Sequence, residues 1–172
     1  MISKSNRLAP FGIVTFWLLL MAAMYFGFNH LMIPKPQVIT SSGDLVLTRD
    51  RDGHFYADGS INGAKVRFLL DTGASLVVVG EQFAKSVGLT SGEATTFQTA
   101  NGSLAGYVAP NADVAVGSLR VSSIRVGVGL VMEGSGTNSS TVLLGQNFLS
   151  KFDVTIGKDE MILRKREEKS SF

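Results

Sequence analysis

Asp71 opens the run Asp71-Thr72-Gly73-Ala74-Ser75, directly behind the apolar stretch Phe68-Leu69-Leu70 and ahead of Leu76-Val77-Val78-Val79. A carboxylate between two short apolar strands is chemically well placed. The strands hold the turn rigid, Gly73 removes the Cβ that would obstruct a tight bend, and the acid is presented at the edge of a cleft. There it can move a proton to or from a reacting group. The motif occurs once. None of Asp44, Asp50, Asp52, Asp58, Asp113, Asp153 or Asp159 sits in a second Asp-Thr-Gly or Asp-Ser-Gly. A self-contained site with two such carboxylates would need one.

Other chemistries find little to build on. The chain has no cysteine, which removes disulfides, thiol catalysis and zinc-thiolate sites together. His30 and His54 are isolated from one another and do not make a metal site. Ser75 has no histidine in a recognisable arrangement for a serine hydrolase. Gly127-x-Gly129 sits in a strand pattern and does not continue into a phosphate-binding Gly-x-Gly-x-x-Gly. Asn101-Gly-Ser and Asn138-Ser-Ser match glycosylation sequons, which matter only in a eukaryotic source. No metal and no organic cofactor is expected.

The elements that must position Asp71 read as strands. Apolar residues alternate at Leu45/Leu47, Phe55/Ala57, Val66/Phe68/Leu70, Val114/Val116, Ile124/Val126/Val128/Leu130, Val154/Ile156 and Met161/Leu163. Turn signals separate them at Arg51-Asp52-Gly53, Asn62-Gly63, Asn101-Gly102, Gly117-Ser118 and Gly157-Lys158. Many short strands joined by glycine-containing turns predict an all-β antiparallel barrel or sandwich. Two short helices are expected, Glu81–Val87 ended by Gly88, and Gln146–Lys151 behind Val142-Leu143-Leu144-Gly145. Glu133–Ser140 reads as a polar loop.

A different segment precedes this domain. From Leu8 to Ile33 there is no Asp, Glu, Lys or Arg. A spanning helix needs ~20 apolar residues to cross a ~30 Å hydrocarbon core. The bulky Met24, Tyr25 and Phe26 that follow Ala22-Ala23 favour an uncleaved anchor over a signal peptide. Lys4 and Arg7 before the span place the short N-terminus in the cytoplasm and send the rest across the membrane. The expected organisation is residues 1–33 as stub and transmembrane anchor, 34–43 as tether, 44–166 as the β domain and 167–172 as a charged tail. Nucleic-acid binding is not expected. Two of the 16 Lys and Arg precede the span, and the remaining 14 balance the 14 Asp and Glu, all of which follow it.

The order of these features resembles the retropepsin-like (retroviral-type, clan AA) aspartic proteases, and among them the membrane-anchored bacterial branch. Phe68–Val79 is similar to the family's active-site signature, and Val142–Leu149 (VLLGQNFL) to its C-terminal Ile/Leu-Ile/Leu-Gly-Arg-Asn/Asp-Leu-Leu element. The resemblance covers roughly Gly53 to Leu163. It implies an acid-protease barrel, with Asp71 as the catalytic carboxylate. It also implies a homodimer joined through the active-site face, so that two Asp71 meet. Two carboxylates a few ångströms apart cannot both ionise freely, so they share a proton. The charged one takes a proton from a water between them while the protonated one polarises the scissile carbonyl.

By the same resemblance Thr72 and Gly73 support the loop, Thr72 by bonding across the two-fold axis. Ala74 and Ser75 line the cleft. The hairpin Thr96–Val108 is a flap whose Thr99, Ala100, Asn101 and Gly102 meet substrate, with Asn101-Gly102 suited to a type I′ turn. One paired departure stands out. The retroviral enzymes carry Asp and Arg at the positions of Ser75 and Gln146, an ion pair near the dimer contact. Both are neutral here, which leaves room for a hydrogen bond but predicts a weaker or differently built dimer contact. Membrane tethering would offset that by raising local concentration. The implied function is a single-pass endopeptidase of the bacterial inner membrane, its domain periplasmic, hydrolysing extended polypeptide. The alternative is a non-proteolytic binding or scaffold domain in the envelope.

Overall fold

The computed structural model describes residues 9–31, 37–40, 43–99, 102–129 and 141–166. The chain divides into two compact units, Met1–Pro34 and Lys35–Phe172. The described residues of the first form helix α1 (Ala9–Leu31, 23 residues). Its side chains are exposed around the whole circumference from Gly12 to Asn29, a stretch long and apolar enough to cross a membrane. Such a helix serves equally as an anchor or as a signal sequence.

The second unit is built from two sheets. The smaller is antiparallel and runs in the order β1 (Val38–Ile39), β2 (Leu45–Thr48), β11 (Glu160–Lys165), β10 (Phe152–Ile156). Strand β1 lies within the stretch expected to be a plain tether. It is held by the pairs Val38/Val46 and Ile39/Leu45, and the Gln37 side chain bonds both the N–H and the carbonyl of Asp58 (2.9 and 3.3 Å).

The larger sheet contains β3 (Tyr56–Ile61), β4 (Ala64–Leu70), β5 (Val77–Val79), β6 (Glu93–Thr99), β7 (Gly102–Val116), β8 (Leu119–Val128) and β9 (Thr141–Leu144). Its order is β3-β4-β9-β5-β8-β7-β6. Gly59–Ile61 of β3 also pair with Val114–Val116 of β7. That contact closes β3, β4, β9, β5, β8 and β7 into a six-stranded barrel, leaving β6 outside as an edge. The all-β barrel expected from the sequence is therefore the fold.

Period-two alternation fills its interior. Phe68, Val77, Val114, Val126, Leu144 and Phe148 are among the residues with no measurable exposure. Two details differ from a purely antiparallel barrel. Strands β4 and β9 run parallel, as do β5 and β8. In addition, the runs ending near Val108 and beginning near Val114 are one strand. Pro110 cannot donate to the ladder and Asn111 takes a positive φ of 57°, so β7 continues through a bulge rather than stopping. The bulge bends β7, letting its first half pair with β6 and its last residues with β3.

Two short helices complete the domain. Helix α2 (Glu81–Ser86) follows β5 and is closed by Gly88; α3 (Gln146–Leu149) follows β9. Both lie where the sequence places them. The Glu133–Ser140 loop and Leu130 lie outside the described residues.

Candidate active site

Strand β4 delivers Asp71 and β5 leaves the loop at Val77, yet these two arms do not pair with each other. Strand β9 runs between them, parallel to β4 (Leu70 beside Leu144) and crossing β5 at Val78/Leu143. This threading explains why the Val142–Gly145 run must accompany the Asp71 motif. It fills the slot that the loop spans. The loop is then tied down on its β9 side. Asp71 N–H donates to the Leu144 carbonyl (3.2 Å), Gln146 N–H to Ala74 (2.8 Å) and Asn147 N–H to Ser75 (3.1 Å).

Gly145 makes the close approach possible. A Cβ there would lie 2.2 Å from the Leu76 carbonyl oxygen and 2.7 Å from that of Ala74. Any side chain would force the loop away. Within the loop, the Asp71 carboxylate accepts a hydrogen bond from Gly73 N–H (2.8 Å) and its carbonyl one from Ala74 N–H (3.3 Å). The acid is thus oriented by its own turn. Asp71 is half-buried, Thr72, Gly73 and Ser75 are exposed, and Ala74 is half-buried.

Two residues at the start of α3 serve the loop in ways the sequence left unassigned or differently assigned. The Gln146 amide donates to the Thr72 carbonyl (3.1 Å). The neutral Ser75/Gln146 pair therefore does not reproduce a side-chain contact between those two positions; Gln146 supports the turn one step earlier. Asn147, which the sequence reading did not single out, bridges two strands. Its Oδ1 accepts from Val77 N–H (2.8 Å) and its Nδ2 donates to the Arg125 carbonyl on β8 (2.7 Å). The available signal was a pair of polar side chains, Gln146 and Asn147, between apolar runs in VLLGQNFL.

The hairpin of β6 and β7 has a different register from the expected turn. Thr99 pairs with Gly102, so Gly102 is a ladder residue, with φ +111°, rather than the second residue of a type I′ turn. Pairing is dictated by the alternation that sets Phe97 opposite Leu104. Thr99 Oγ1 donates to the Gly102 carbonyl (2.7 Å) and Ser103 Oγ to Gln98 Oε1 (3.0 Å). Ala100 and Asn101 lie outside the described residues. At the base of the hairpin, Glu93 and Arg125 form an exposed ion pair at 2.9 Å.

The structure therefore unites Asp71, Thr72, Gly73, Ala74 and Ser75 with Gly145, Gln146 and Asn147. Among the described residues no group of His, Cys, Asp or Glu could hold a metal ion. His54 stands instead with Asp52 on an exposed turn, next to Tyr56 at the start of β3. Asp52 lies 3.4 Å from His54 and accepts a 2.7 Å bond from the Tyr56 hydroxyl. Partial burial, followed by that bond, pushes the Tyr56 hydroxyl up to about 12. This cluster contributes nothing to the loop.

Residues 57–151 match a family model described as "gag-polyprotein putative aspartyl protease". An uncharacterized protein of Rickettsia prowazekii (strain Madrid E) is 31% identical over 136 residues, covering 77% of this chain and 56% of that protein. An uncharacterized protein in the cobV 5′ region of Sinorhizobium sp. is 28% identical over 141 residues, covering 77% of this chain and 58% of that protein. The chain thus spans little more than half the length of these curated relatives. Among solved structures it is similar to a retropepsin-like aspartic protease from Rickettsia conorii. That match has 33% identity and a TM-score of 0.58, and covers 72% of this chain and 91% of the other.

Proposed function

The chain belongs to the retropepsin-like aspartyl protease family, and from that premise we propose that it is an aspartic endopeptidase whose Asp71 supplies one half of a two-carboxylate site. One observation carries the reading. A half-buried carboxylate stands on a loop whose arms are split by β9 and locked to Gly145 and Asn147. A turn with no chemical task has no need of such bracing.

The second half comes from a second copy. Among the described residues no other carboxylate bonds to the loop, and Thr72 and Gly73 present exposed backbone and side chain beside Asp71. Pairing through this face sets two Asp71 side by side. One carboxylate then acts as base toward a water and the other as acid toward the peptide carbonyl. Thr72 bonds across the axis and Gly73 allows close approach of the substrate backbone. Ala74 and Ser75 flank an extended peptide, and the β6–β7 hairpin covers it, with Thr99, Ala100, Asn101 and Gly102 as its proposed substrate contacts. No cofactor enters the reaction.

Helix α1 acts as a single-pass anchor in the inner membrane of a bacterium, with the β domain in the periplasm. The substrates are exported or envelope polypeptides. Residues 1–33 form stub and anchor, 34–43 the tether, 44–166 the protease domain and 167–172 a charged tail.

The test is cleavage of a denatured, unfolded polypeptide by the full chain in detergent, alongside Asp71→Asn. Asparagine is nearly isosteric but cannot cycle a proton, so the variant should lose at least about 10³-fold in rate while keeping its fold and association. Equal rates in both proteins would remove Asp71 from the chemistry.

A further inference from the structure

The four strands of the smaller sheet all lie outside residues 57–151, the stretch that matches the family model. The Asp71 loop and the residues that brace it lie inside. Among the described residues of the β domain, three large apolar side chains are half or more exposed: Val38 (53%), Ile39 (50%) and Ile156 (52%). A single exposed aliphatic residue is ordinary. Here all three belong to one sheet, on its two edge strands, β1 and β10.

The register joins them. Leu45 and Leu163 pair with each other and have no measurable exposure, so alternation turns their neighbours Val46 and Ile162 away from the core. Val38 stands opposite Val46, Val46 opposite Ile162, and Ile162 opposite Thr155. One outward row of three β-branched aliphatic residues and a threonine therefore crosses all four strands. Ile156, the next residue of β10, ends that strand exposed. Asp44 and Asp153 border the row on one side, held by Arg164 (3.0 Å) and Arg166 (3.2 Å). Glu160 borders it on the other. Paired carboxylates do not repel an anionic surface as free ones do.

The chain indicates what lies against this face. Helix α1 ends at Leu31, and the Gln37 side chain is bonded to the backbone of Asp58. Only residues 32–36 intervene in the sequence, and six residue steps reach at most about 20 Å. On the anchor reading, on which this inference rests, β1 is therefore kept near the end of a membrane span. A tether that short holds the face and the lipid at a local concentration on the millimolar scale, so a weak apolar contact suffices. We propose that the outward face of the β1-β2-β11-β10 sheet rests on the bilayer surface. Val38 and Ile156 enter the headgroup layer, and Val46 and Ile162 lie against it. Docking removes the domain's freedom to swing on its tether and fixes which side of it faces the lipid.

The chain has no cysteine, so a single introduced one carries a fluorophore without ambiguity. The full chain is reconstituted into vesicles of phosphatidylethanolamine and phosphatidylglycerol, with and without a nitroxide-labelled lipid. Labels are placed at Val38→Cys, Thr155→Cys and Ile156→Cys, and at Lys65→Cys, an exposed site on β4 of the larger sheet. Groups docked in this way enter ~5–10 Å into the lipid boundary, so quenching at Thr155→Cys and Ile156→Cys should exceed that at Lys65→Cys by about threefold or more. Adding Val38→Asp to the Thr155→Cys chain should lower its quenching toward the Lys65→Cys level; no change would show that the row makes no lipid contact and would overturn the proposal. Quenching at Val38→Cys alone would also overturn it, because closeness to the span would then account for the signal. Equal quenching at all four sites would do the same. Blue-shifted emission at Thr155→Cys without quenching would put protein on the face in place of lipid, and the proposal would fail. Release of the wild-type chain from the vesicles by alkaline carbonate would remove the anchor reading and this proposal together. A chain that stays in the membrane but shows any of the contrary quenching patterns removes this proposal alone.

Discussion

The Asp71 loop and the β6–β7 hairpin, which the proposed function joins in one reaction, are held in opposite ways. Every described bond that fixes the loop from outside comes from residues about seventy positions downstream: Leu144, Gln146 and Asn147. The hairpin's own bonds are local, Thr99 with Gly102 and Gln98 with Ser103, and β6 is an edge strand paired on one side only. Beyond that ladder, an exposed ion pair and the Phe97 ring tie β6 to the barrel. A reacting group gains from being fixed, since an ångström of misplacement is costly. A cover gains from attachments that can be released without breaking the core.

That contrast can be broken first at Gly145. Gly145→Ala drives a methyl into two backbone carbonyls that have no flexible side chain to yield. It should cost about 3 kcal/mol or more, or prevent folding, when unfolding is followed by far-ultraviolet circular dichroism. Wild-type stability would mean that the loop is not braced by β9 as described. Next comes Asn147→Ala, which strands the Val77 N–H and the Arg125 carbonyl. A loss of about 2 kcal/mol is expected, together with a drop in cleavage rate larger than the drop in stability explains. A loss under about 0.5 kcal/mol would show water replacing both bonds. The hairpin side should answer weakly. Glu93→Ala removes a pair whose partners are both more than half exposed, and should change stability by less than about 0.5 kcal/mol, with the difference vanishing at high salt.

The same contrast marks what the sequence could and could not disclose. The Asp71 loop was legible because its flanks are unbroken apolar runs and because Gly145 stands behind a second such run. The strands were legible because one face is buried, so period two appears in the residues themselves. Periodicity reports which way a side chain faces, not which strand lies alongside. It therefore could not show β9 threading between β4 and β5, nor the two parallel pairings. Pro110-Asn111 reads as a break, and only the bulge reveals one continuous β7. Val38-Ile39 is too short to signal a strand against a polar tether. Phe97 gave no signal because its packing depends on Gly127, thirty residues away, where the informative fact is a missing side chain.

The central claim is that each chain holds half of the reacting pair, and subunit mixing tests it most directly. Wild-type and Asp71→Asn chains are co-assembled at rising proportions of the variant, and total peptidase rate is measured at fixed total protein. If two Asp71 are required, activity follows the square of the wild-type fraction, so an equal mixture retains about one quarter. A straight-line fall, with about one half retained at equal mixture, would mean that a single Asp71 suffices and would contradict the account.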